Sequence, residues 1–123
     1  VHGGARPGPA LVTEALMTEL TALTPLAPLH QGPALRLIDA ARHRWPGVPQ
    51  VAAFDTSWHA TLAPWARRLP LPATLHAAGV QRYGFHGLAF ASAMRQLTVL
   101  APALATARLV LVHLGGVVSE NGK

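Results

Sequence analysis

The chain has 123 residues, half of them apolar and 12% charged, which limits it to one modest core and excludes a disordered tail. Its net charge of +5 sets nine Arg and one Lys against five acidic residues, and the basic residues are scattered along the sequence, so a phosphate-tracking nucleic-acid stripe is not expected. With no Cys there can be no disulfide framework, thiolate metal site or cysteine nucleophile, and no apolar run approaches the roughly 20 residues of a membrane span.

Val1-His2-Gly3-Gly4 reads as the exit of a strand. Leu16, Leu20 and Leu23 then fall at i, i+4 and i+7, which predicts a helix over 13–24 with Thr13 as its N-cap and Pro25 and Pro28 as its stop. Pro33 suits a first helical position, and Leu37, Ile38, Ala41 and Trp45 predict a second helix closed by Pro46-Gly47. Val48 to Phe54 has the length and apolar content of a strand, with Asp55-Thr56 at its carboxyl end. Residues 57–72 have no clear period and are expected to be irregular, with about one helical turn.

Pro72 to Ala78 predicts a short helix with Gly79 as a left-handed cap, and Arg82 to Phe85 a brief strand. Phe90, Met94, Leu97 and Ala101 predict a longer helix. Arg108 to Leu114 predicts a strand that Gly115-Gly116 turns into another at Val117. Helices alternating with short apolar strands imply an α/β layer fold. Val1 in place of Met, and an Asn121-Gly122 turn signal with no strand behind it, suggest a piece of a longer chain. No basic-then-apolar leader opens it, and a cytoplasmic location is expected.

Polar groups are scarce, so their positions carry information. Leu29-His30, Phe54-Asp55-Thr56, Gly84-Phe85-His86-Gly87 and His113-Leu114-Gly115-Gly116 each set a His or Asp beside glycine or at a strand exit. Ligand sites of open α/β sheets lie beyond the carboxyl ends of strands, where Asp55, His86 and His113 are placed by this reading. There is no G-x-x-x-x-G-K-[ST] phosphate loop and no G-x-S-x-G nucleophile elbow. His43, His59 and His76 lack ligand spacing for zinc and read as exposed or packed residues; Trp45, Trp58 and Trp65 read as core or lid packing.

Five strings in order, Val1-His2-Gly3-Gly4, Ala27-Pro28-Leu29-His30, Val51-Ala52-Ala53-Phe54-Asp55-Thr56, Arg82-Tyr83-Gly84-Phe85-His86-Gly87 and His113-Leu114-Gly115, resemble successive signatures of the acetate kinase family. The resemblance covers essentially the whole chain but a central slice of the family protein. It implies part of the sugar-kinase, Hsp70 and actin type of fold (ribonuclease H-like). Residues 1–106 would be the later part of the first, acyl-substrate domain, and 107–123 the opening β-hairpin of the second, nucleotide-binding domain.

It further implies transfer of the γ-phosphoryl of ATP to acetate with Mg²⁺, propionate and butyrate kinases being close relatives, and a homodimer for the full-length protein. His30 and His86 would flank the transferring group. Val1, Leu29 and Phe85 would line the short-acid pocket, and His113, Leu114, Gly115, Gly116 and Val117 would form the nucleotide-phosphate loop. Asp55 aligns with the acid–base residue of the family. Acetate is already ionised near neutral pH, so a role for Asp55 in holding Mg²⁺ through water is physically easier than proton transfer. The sequence departs from the pattern at Gln31-Gly32, where Asn-Pro is expected, at the apolar Leu88-Ala89-Phe90, and at Gly116. A degenerate, non-catalytic binding module derived from the same fold is the alternative.

Overall fold

A computed structural model describes residues 1–114, which divide into two compact units, Val1–Leu88 and the part from Ala89 onward. In the first unit, strand β1 (Ala10–Leu11) pairs antiparallel with β2 (Val51–Ala52), Ala10 opposite Ala52 and Leu11 opposite Val51. Between them run α1 (Glu14–Ala22), a 3₁₀ turn at Thr24–Leu26 and α2 (Pro28–Arg44). After β2 come a 3₁₀ turn at Ser57–His59 and the short helices α3 (Pro64–Arg67) and α4 (Ala73–Ala77).

The first helix follows its sequence signals. The Thr13 hydroxyl accepts from the Leu16 N–H at 3.1 Å, which satisfies one of the donors left over at a helix start. The Leu16–Leu20 stripe is buried against Ala52 and Phe54, with Val1, Ala10, Val12, Leu23, Leu35 and Ile38 packed around them. Gly79 adopts φ +89 and closes α4 as a left-handed cap.

Helix α2 starts earlier than its pattern suggests. Pro28, not Pro33, takes the first helical position, and Pro33 lies inside the helix. Pro33 has no N–H, so the Leu29 carbonyl loses its i+4 donor one turn from the helix start, at an exposed site. The face that packs is Leu35 and Ile38, whereas Leu37 and Trp45 are exposed. The three tryptophans are exposed as well, so of the two roles expected, core or lid packing, the core role is excluded; Trp45 lies beneath the Arg44 guanidinium at 5.7 Å.

The expected strand from Val48 to Phe54 forms its ladder only at Val51–Ala52, because the partner strand is two residues long. Arg82 to Phe85 is irregular rather than a strand: the Arg82 N–H goes to the Arg67 carbonyl, and the segment has no sheet partner among the described residues.

The second unit contains most of α5 (Gly87–Leu100), which matches its predicted apolar period, and α6 (Pro102–Ala105). Arg108 to Leu114 is not a strand; no neighbouring strand among the described residues offers it a ladder. The expected turn at Gly115-Gly116 and the strand at Val117 lie outside the described residues. No described helix is long and apolar enough to cross a membrane.

Candidate functional site

The segment Val1–Gly4 runs beside Phe54–Thr56 and is stitched to it. The Asp55 N–H donates to the Val1 carbonyl at 3.1 Å, and the Val1 nitrogen donates to Asp55 Oδ2 at 3.3 Å. One step along, the Gly3 N–H donates to Thr56 Oγ1 at 3.1 Å. Gly3 is needed there because a Cβ would overlap the Phe54 ring.

Gln31, fully buried in the first turn of α2, ties a second segment to the same place. Its Oε1 accepts from the His2 N–H at 2.9 Å, and its Nε2 donates to the His2 carbonyl at 3.1 Å and the Leu20 carbonyl at 3.0 Å. A primary amide has the donor and acceptor of a peptide group, so Gln31 exchanges both bonds with His2 as a neighbouring strand would. The departure from the resembled pattern at position 31 is therefore a satisfied structural residue.

A third segment joins at Gly87, whose N–H donates to the Asp55 carbonyl at 3.1 Å. A Cβ on Gly87 would overlap that carbonyl and the Trp58 Cβ. Just before it, His86 adopts φ +55, a left-handed backbone that non-glycine residues seldom take. Such conformations persist where surrounding contacts hold them, and they concentrate at functional sites.

These bonds bring together the segments that carry Val1, Leu29, His30, Asp55, Phe85 and His86. Asp55 and Val1 are partly buried; Leu29, His30, Phe85 and His86 are exposed. Asp55 is the carboxylate of this cluster. A single carboxylate suits Mg²⁺ held jointly with phosphates and waters, the usual manner of that ion, and among the described residues no three acidic, His or Cys groups gather to hold a metal alone.

His113 and Leu114 belong to the second unit, where both are exposed and the His113 ring meets Phe90 edge-on at 6.3 Å. Gly115, Gly116 and Val117 lie outside the described residues. The other histidines hold backbone carbonyls: His43 that of Asp39 (2.8 Å), His59 that of Phe85 (3.0 Å), and His76 those of Val80 and Leu69 (3.1 and 2.9 Å).

Sequence reasoning missed His2, Gln31 and Thr56 as parts of this site. The available signals were the setting of His2 and Thr56 inside the resembled strings and the departure from the pattern at Gln31-Gly32.

Part of a phosphotransferase fold is what these strings and this geometry define. The family model described as "Acetokinase family" matches residues 1–122, and the chain belongs to that family. An acetate kinase from Methylocella silvestris is 43% identical over 116 residues, covering 94% of this chain and 29% of the relative. The crystal structure of a propionate kinase from Francisella tularensis superposes with a TM-score of 0.76 at 29% identity, covering 83% of this chain and 27% of that one. Porphyromonas gingivalis acetate kinase gives 0.69 at 34% identity, covering 80% and 26%. The chain thus spans less than a third of the length of the relatives it matches.

Proposed function

We propose that this segment supplies the acyl-substrate side of a short-chain carboxylate kinase. In the reaction a carboxylate oxygen of acetate attacks the γ-phosphorus of ATP, the bond from that phosphorus to the β–γ bridging oxygen breaks, and acetyl phosphate and ADP leave. The observation that carries the reading is the set of hydrogen bonds joining residues 1–3, 31, 55–56 and 87, which ties together the segments that carry Asp55, His86 and, in the first turn of α2, His30.

Phosphoryl transfer depends on positioning and charge neutralisation. His30 and His86 donate ring N–H groups to the equatorial oxygens of the transferred group. Val1, Leu29 and Phe85 form an apolar wall that suits a short acid such as acetate or propionate. Asp55 would hold Mg²⁺ through its water ligands, and the ion supplies neutralisation of phosphate charge. His113 to Val117 would approach the nucleotide phosphates. We assign residues 1–106 to the acyl-substrate domain and 107–123 to the start of the nucleotide domain, of a protein that works as a cytoplasmic homodimer.

The test is a chimera in which this segment replaces the matching part of the Methylocella silvestris acetate kinase. With ATP, Mg²⁺ and acetate it should form acetyl phosphate in a hydroxamate assay, while the 123 residues alone should form none. His30→Ala and His86→Ala should each lower kcat about 10²–10³-fold with a smaller change in KM. Asp55→Asn should lower kcat and raise the Mg²⁺ needed for half-maximal rate. A folded chimera without turnover would favour the degenerate binding module.

A further inference from the structure

His2 is only 3% exposed, and the roles assigned above do not use its ring. Its Nδ1 accepts from the Gly4 N–H at 3.0 Å. Burial holds its pKa below the ordinary histidine value, which favours the neutral ring. A neutral imidazole that accepts at Nδ1 carries its proton on Nε2. That Nε2 is buried with no hydrogen-bond partner among the described residues.

Aromatic rings surround it instead. Tyr83 lies 4.9 Å away at 67° and Phe85 5.3 Å away at 63°, both edge to face. The negative face of an aromatic ring attracts an N–H edge, so these rings are the natural neighbours of an orphaned donor. Phe85 immediately precedes His86, and its carbonyl is held by His59 at 3.0 Å. On the other side of His86, Gly87 is bonded to the Asp55 carbonyl. The left-handed His86 is thus anchored before and after.

We propose that His2 is a positioning residue: a neutral imidazole, protonated at Nε2, that clamps Tyr83 and Phe85 and so sets the direction in which His86 is presented. Its consequence for catalysis rests on the kinase reading. The clamp itself is readable in this chain without turnover, so the two can fail separately.

The test uses the purified 123-residue chain labelled with ¹⁵N-histidine. Long-range ¹H–¹⁵N spectra should show His2 as the Nε2–H tautomer at neutral pH. The His86 ring signals should shift more in His2→Leu than in His2→Phe, which keeps the edge-to-face ring contact but has no N–H to donate. The exposed His43 should not respond to either change. A His2 ring protonated at Nδ1 alone, or charged at neutral pH, would overturn the proposal. So would His86 signals that move equally in both variants or in neither. If His2→Leu does not fold, the tautomer in the unsubstituted chain and the His2→Phe spectrum decide.

Discussion

The two units of this chain treat their apolar residues in opposite ways. Residues 1–88 bury Leu16, Leu20, Ala52 and Phe54 together with His2, Gln31 and Thr56. Residues 89–114 contain no buried residue at all, although α5, which ends on Val99 and Leu100, is strongly apolar and Val110, Val112 and Leu114 follow it. Apolar content therefore does not make a core; a second layer must meet it. In the first unit α1 and α2 provide that layer against the paired strands. The exposed apolar surface of the second unit is of the kind that marks an interaction face. The polar residues teach the same lesson in reverse. Gln31 is entirely buried at little cost because its donor and acceptor are both taken, whereas an unpaired amide there would be expensive.

The most damaging way to break this contrast is Gln31→Leu. It leaves the His2 N–H and carbonyl without partners, at about 1–3 kcal/mol for each orphaned group. The denaturation midpoint should fall accordingly; an unchanged midpoint would show that the network is not what holds the segments together.

Gly87→Ala should cost about 1–3 kcal/mol, because the added methyl meets the Asp55 carbonyl. In the chimera it should also reduce turnover by displacing His86. Turnover retained at native level would detach the Asp55–Gly87 bond from the reaction.

A smaller effect concerns acid. The folded His2 pKa lies below 6.5, the unfolded value, so the unfolded chain binds more protons between the two. Stability is steady above about 6.5 and falls as pH drops below it, by at most about 1.4 kcal/mol per pH unit from this group. The melting temperature of the native chain should therefore drop more between neutral and mildly acidic pH than that of His2→Phe. Equal slopes would contradict a buried neutral His2.

The smallest change sharpens the comparison from the other side. Val110→Asp, at a side chain 89% exposed, should alter unfolding by no more than about 0.5 kcal/mol. It should reduce self-association measured by light scattering. A large loss of stability would mean that this surface is buried in solution.

Much of the local structure was legible in the sequence because its causes are local. The Leu16–Leu20–Leu23 period, the Thr13 cap, the left-handed Gly79 and the run of α5 depend on neighbours within about two turns. The strands were read less well. Val48 to Phe54, Arg82 to Phe85 and Arg108 to Leu114 all have strand-like residues, but a strand exists only where another backbone pairs with it, and among the described residues these three segments find a sheet partner only at Val51–Ala52.

The order of the strings by itself determined the family and nominated Asp55, His30 and His86, since each string carries its chemistry in a few adjacent residues. Only the tertiary structure decided what holds those strings together. The bonds between His2 and Gln31 join residues 29 positions apart, and those from Val1 to Asp55 and from Gly3 to Thr56 join residues 54 and 53 apart. No local pattern encodes such partners. A buried amide, hydroxyl or imidazole takes whichever donor or acceptor folding brings within reach, and its role is fixed by that meeting.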